Sequence, residues 1–125
     1  MTRVLIVDDS PTETHRMETI LKKRGFDVVK ADNGIDGVAY AKKHLPDIVL
    51  MDVVMPGLNG FQATRQLSQA KETAHIPIII VTTKDQQTDR LWGKRQGAKG
   101  YLVKPIDSKQ LLDTVEQVMK GAVLF

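Results

Sequence analysis

Five short apolar runs punctuate this chain, and the segments between them carry helical spacing. Val4-Leu5-Ile6-Val7, Ile48-Val49-Leu50-Met51, Ile78-Ile79-Ile80-Val81 and Tyr101-Leu102-Val103 are nearly unbroken in hydrophobicity. Such runs suit strands covered on both faces, which requires a sheet held between two layers of helices. Val28-Val29-Lys30-Ala31 is weaker and suits an edge. Pro77 can open the fourth run but could not sit inside it, because it has no N–H for the ladder. Strands alternating with helices predict an α/β fold, a parallel sheet joined by right-handed crossovers.

The helical segments carry their own punctuation. Ser10-Pro11-Thr12-Glu13 offers an N-cap, a proline at the first helical position and the acid of a capping box. Met17, Ile20 and Leu21 follow as a buried stripe, and Gly25 as a stop. Asn33-Gly34 opens a second helix, which Leu45-Pro46 ends. Gly60 to about Ala70 and about Gln86 to Gln96 read as the third and fourth. Asp107 with Gln110 caps a fifth, where Leu111, Leu112, Val115, Val118 and Met119 share one face.

At 125 residues the chain suits a single domain spanning 1–125, with no room for a separate output domain. It contains no cysteine, which excludes disulfides, thiolate metal sites and cysteine nucleophiles and fits a reducing, cytoplasmic setting. No apolar run approaches the ~20 residues of a membrane span, so no membrane insertion is expected. Asp8 and Asp9 interrupt the first run too early for a signal peptide. The net charge is +3, but the bases are dispersed near helix ends and no aromatics interleave with them. That is a solvated surface complementing helix dipoles, and no nucleic-acid partner is expected.

In open parallel sheets function collects at the carboxyl ends of the strands. The residues following the five runs are Asp8-Asp9, Asp32-Asn33, Asp52, Thr82-Thr83 and Lys104-Pro105. If the first and third strands are neighbours, ~4.8 Å apart, Asp8, Asp9 and Asp52 converge. Three unpaired carboxylates in one cleft demand a cation or raised pKa values. Oxygen donors without His or Cys select a hard ion, and incomplete protein coordination favours Mg²⁺. Lys104 and Thr82 add an ammonium and a hydroxyl suited to the oxygens of a phosphoryl group.

These residues, with Asp52-Val53-Val54-Met55-Pro56-Gly57, Val81-Thr82-Thr83 and Tyr101-Leu102-Val103-Lys104-Pro105, resemble the response-regulator receiver domain over essentially the whole chain. The string from Met55 to Gln66, with Trp92-Gly93-Lys94-Arg95-Gln96-Gly97, is similar to stand-alone receivers of type IV pilus chemosensory pathways, which regulate twitching motility. The resemblance implies a five-stranded sheet of order 2-1-3-4-5 flanked by five helices, with Asp52 as phosphoacceptor for a histidine kinase or phosphotransfer domain. It implies Mg²⁺ held by Asp8, Asp9, Asp52 and the carbonyl of Val54, Lys104 on the phosphoryl oxygens, and a cis Lys104-Pro105 peptide. Thr82 and Tyr101 are the implied switch residues: Thr82 moves toward the phosphoryl group and Tyr101 turns inward. The signal then reaches the face made by the fourth helix, fifth strand and fifth helix. A downstream protein target is implied, and a monomer or a weak phosphorylation-dependent dimer.

Two positions that tune phosphate loss in this family are read physically here. Val54 has no polar group to orient water, and Lys84 is basic, so slow self-dephosphorylation is expected. One alternative is a phosphate sink for a shared kinase. Another is an aspartate-based Mg²⁺-dependent phosphohydrolase, disfavoured because Val54 stands where its second acid belongs. A flavodoxin-type carrier is disfavoured by Ser10-Pro11, which supplies no phosphate-cradling loop. Leu91 and Trp92 cannot both face the core, Gly93 suggests a mobile helix, and the histidines at 15, 44 and 75 read as surface residues. Val123-Leu124-Phe125 is an apolar tail with no assignable role.

Overall fold

The computed structural model describes residues 1–125. Five strands, β1 (Arg3–Val7), β2 (Asp27–Ala31), β3 (Ile48–Met51), β4 (Ile78–Thr82) and β5 (Gly100–Val103), alternate with five helices. These are α1 (Pro11–Lys23), α2 (Gly34–His44), α3 (Gly60–Gln69), α4 (Gln87–Arg95) and α5 (Ser108–Met119). All neighbouring strands pair in parallel, in the order β2-β1-β3-β4-β5. No helix is long and apolar enough to cross a membrane.

The continuous apolar runs divide between the two faces of the sheet residue by residue, as the pleat requires. Val4, Ile6, Ile48, Leu50, Ile79 and Val81 face α1 and α5, where they meet Met17, Leu21, Leu111 and Val115. Leu5, Val7, Val49, Met51 and Ile78 face α2 and α3, against Val38, Ala41, Ala63 and Leu67. Both sets are buried, so β1, β3 and β4 show no polar alternation. β2, the weakest run, is only partly buried at one edge.

Most helix starts are local hydrogen-bond decisions. Asn33 Oδ1 accepts the Asp36 N–H at 2.8 Å, and Asp107 Oδ2 accepts that of Gln110 at 2.9 Å. Asn59 and Gln62 form a full reciprocal capping box. The box expected at α1 is only half made: Ser10 Oγ accepts the Glu13 N–H at a long 3.4 Å, while the Ser10 N–H goes to Asp8 Oδ1 at 2.9 Å. Asp8 has taken the donor that Glu13 would have received, and Glu13 Oε2 is left buried without a partner.

Gly60 ties α3 to the end of β3. A Cβ there would lie 1.9 Å from the Asp52 carbonyl oxygen and 2.7 Å from Val53 Cα, both backbone atoms that cannot yield. The Gly60 N–H bonds the Val53 carbonyl at 3.0 Å, so the helix start is pressed onto the residues following the strand. Gly60→Ala should therefore destabilise the fold by on the order of 3 kcal/mol, read as a lower midpoint in urea unfolding. An unchanged midpoint would show that α3 can move off β3 freely.

Candidate functional site

The sheet ladder itself delivers the polar residues to one place. Val7 is in register with Met51, so Asp8 and Asp52 each stand one residue past a paired strand end. The ladder continues through them: the Asp52 N–H donates to Val7 O at 2.9 Å and the Asp8 N–H to Ala31 O at 3.0 Å. On the other side Thr82 is in register with Val103, and the Lys104 N–H donates to Thr82 O at 2.8 Å. Four strands thus contribute to one cluster with fixed backbone.

Lys104 reaches across it. Its Nζ lies 2.8 Å from Asp8 Oδ2 and 3.5 Å from Asp52 Oδ2. The side chains are almost fully enclosed, 8% exposed for Lys104 against 1% for Asp8 and 7% for Asp52. Asp8 Oδ1 is engaged by the Ser10 N–H, and Asp52 Oδ1 accepts the Val53 N–H at 2.8 Å. Asp9 is exposed at the mouth, and carboxylate oxygens of Asp8, Asp9 and Asp52 all lie within 4.8 Å of one another. The Lys104–Pro105 peptide is cis.

The charges are unbalanced in a specific way. Burial pushes the Asp52 carboxyl above its ordinary value, Lys104 pulls it back, and the Asp8 charge raises it again. Burial works against the Lys104 ammonium, but the Asp8 hydrogen bond and the charges of Asp52 and Asp8 leave its pKa raised. One lysine shared by two acids satisfies Asp8 and leaves Asp52 the less stabilised. The raised Asp52 value means the folded chain holds this proton more tightly than the unfolded chain. Stability contributed by this group is therefore present at low pH and is lost as pH rises through the folded value.

Around this pocket the remaining residues fall into two groups. Thr82 is fully buried, and its Oγ1 accepts the Lys84 N–H at 3.4 Å. The Tyr101 ring is already inside, 5% exposed, its hydroxyl donating to Lys84 O at 2.7 Å. Burial raises its phenol to about 12. The Lys84 side chain turns to Asp89 on α4, and the Val54 side chain stands 58% exposed at the pocket rim. Leu91 and Trp92 are both half exposed on α4. Gly93 is buried where a Cβ would lie 2.8 Å from Ile80 Cδ1 and 3.3 Å from the Tyr101 ring, so close packing accounts for a glycine there. Sequence reasoning took that glycine as a sign of mobility because a close approach between elements leaves no mark in the local pattern. His15, His44 and His75 are exposed.

A parallel sheet of this order, with three acids and a lysine gathered at its carboxyl edge, defines an α/β class of protein with an acidic pocket able to hold a cation. Residues 4–116 match the response regulator receiver domain, and the chain belongs to that family. It is 62% identical over 121 residues to Protein PilH of Pseudomonas aeruginosa, covering 97% of this chain and all of that one. It is 37% identical over 118 residues to the response regulator PleD of Caulobacter vibrioides, spanning 94% of this chain but 26% of PleD. Among solved structures it resembles the chemotaxis protein CheY4 of Vibrio cholerae, with a TM-score of 0.89 and 33% identity over 94% of this chain and 98% of that one. The receiver domain of the sensor histidine kinase PA1611 of Pseudomonas aeruginosa PAO1 gives a TM-score of 0.89 at 29% identity, covering 96% of this chain and 98% of that one. That structure has a magnesium ion coordinated in its active-site cleft.

The donor set here fits such an ion. It is all oxygen, carries three formal charges against one ammonium, and leaves room for water at the exposed Asp9 side. Magnesium binding to the folded chain alone should raise Tm, by the equivalent of about 1.4 kcal/mol when free Mg²⁺ is about ten times Kd. Asp9→Asn and Asp52→Asn should each lose most of that rise. Protons compete for Asp52, so the rise should shrink on acidification, starting above the ordinary aspartate range. A Tm indifferent to Mg²⁺ at neutral pH would contradict a cation pocket.

Proposed function

We propose that this chain is a single-domain response regulator, 1–125, that accepts a phosphoryl group on Asp52 from a histidine kinase or phosphotransfer domain. The observation that supports this most is the shared lysine: Asp52 is buried beside a second acid with only part of an ammonium to balance it. It is the carboxylate of the cluster with most to gain from acquiring a new partner.

In the proposed reaction an Asp52 oxygen attacks the phosphorus of a phosphohistidine. The P–O bond forms as the P–N bond breaks, and the imidazole nitrogen leaves with the electron pair. Asp8, Asp9, Asp52 and the Val54 carbonyl would hold Mg²⁺, which supplies charge neutralisation at the approaching oxygens. Lys104 would let go of Asp52 and engage a phosphoryl oxygen, remaining anchored by Asp8. Thr82, on the neighbouring strand end, would offer its hydroxyl to another. Its shift would reach the Lys84 backbone, whose carbonyl already holds the Tyr101 hydroxyl with the ring inside.

The pathway reading rests on the similarity to PilH and on the resemblance to stand-alone receivers of type IV pilus chemosensory systems. We assign the chain to cytoplasmic control of twitching motility through a protein target. Val54 offers no acid for phosphomonoester turnover, which argues against a phosphohydrolase. It also offers water no orienting group, and Lys84 is committed to Asp89, so the acyl phosphate should persist. Persistence suits a switch better than a phosphate sink.

Incubation with Mg²⁺ and acetyl phosphate should give a stoichiometric, base-labile adduct that Asp52→Ala abolishes. Continuous phosphomonoester turnover, or an adduct surviving Asp52→Ala, would overturn the assignment. Val54→Asn should accelerate phosphate loss several-fold in a single-turnover assay; an unchanged rate would remove the argument for a long-lived phosphoryl group.

A further inference from the structure

β5 is the outer strand of the sheet on the side away from β2, and an open strand edge invites pairing with another chain. Here the chain itself covers the start of that edge. After α5, Gly121 adopts a left-handed conformation (φ 99°). Its N–H bonds Val118 O at 2.9 Å and the Ala122 N–H bonds Gln117 O at 3.1 Å. This is a helix stop that reverses the chain, and glycine takes it without Cβ strain.

The reversed segment runs parallel to β5. Leu124 forms a β-bridge with Gly100, and its N–H donates to Lys99 O at 2.7 Å. The Leu124 side chain packs on the α1/α5 core. Phe125 sets its ring 6.4 Å from that of Tyr101, the planes tilted by 59°. The same Tyr101 ring carries the Arg90 guanidinium 5.1 Å from its centre. Tyr101 is thus held by contacts from the Lys84 carbonyl, α4 and the C-terminal segment.

We propose that residues Ala122–Phe125 form an intramolecular strap that caps the start of the β5 edge, at Gly100, and pins Tyr101 in its buried position. An extended segment of another protein that pairs with this edge, or draws Tyr101 outward, must first lift the strap. Two backbone hydrogen bonds, the packing of Leu124 and one ring contact hold it, and Val123 and Phe125 stay half exposed, so it is built to open locally while the sheet stays intact.

Hydrogen exchange and aromatic NMR on the intact chain, without Mg²⁺ or phosphodonor, test this independently of any chemistry at Asp52. The Leu124 amide should exchange at least about tenfold slower than an unstructured amide. Phe125→Ala, which leaves the backbone able to pair, should speed that exchange and bring Tyr101 into rotamer averaging. Leu124→Pro, which deletes the donor, should do the same to Tyr101 while the β1, β3 and β4 amides stay protected. A Leu124 amide exchanging freely in the unmutated chain, or a Tyr101 side chain unchanged in both variants, would overturn the strap.

Discussion

Two carboxylates one strand spacing apart, sharing a single buried ammonium, are the constraint around which this molecule is arranged. Their positions are not adjustable, because both belong to backbone that continues the β1–β3 ladder. Nor is the ammonium free, since Lys104 follows β5 and is bonded through its own N–H to Thr82. An enclosed acid pair is unfavourable unless compensated, and one lysine compensates it incompletely. The fold thereby maintains a pocket whose electrostatics improve when positive charge enters it.

The layers serve that arrangement. β1, β3 and β4 are buried on both faces, so the strand ends are carried by the most deeply buried part of the chain. Gly60 lets α3 press on the Asp52–Val53 backbone, and Gly37 lets α2 approach the methyls of Val7, just before Asp8. On the opposite side, Gly93 lets α4 close on Ile80 and Tyr101. The end of β4 is thus joined to α4 and β5 by packed side chains and by the Lys84 backbone, which Thr82 and Tyr101 both contact.

Much of this was legible before any coordinates. The strands declared themselves as unbroken apolar runs, and parallel pairing under two helical layers followed from covering both faces. The acid–lysine–threonine cluster was readable because strand ends in such a sheet lie side by side, so residues 44 positions apart, such as Asp8 and Asp52, become neighbours once the order is known. Strand order itself came from family resemblance, since apolar periodicity carries no information about which strands are adjacent. The competition for the Ser10 N–H was hidden because two local motifs, a capping box and an acid turn, claimed the same donor. The close approach at Gly93 was hidden because glycine reads as freedom when its neighbours in space are unknown. The apolar tail had no reading because a single bridge on β5 is long-range and too short to leave a period.

The direct measurement of the central claim is the stability of Lys104→Met without divalent ions, in the native chain and in an Asp52→Asn background. If the ammonium is what allows the buried acids to coexist, Lys104→Met should cost roughly 3 kcal/mol in urea unfolding, markedly less when Asp52 is neutralised, and Mg²⁺ should restore much of the loss. A Lys104→Met chain as stable as the parent without Mg²⁺, or a loss unaffected by Asp52→Asn, would show that the acids do not depend on that lysine.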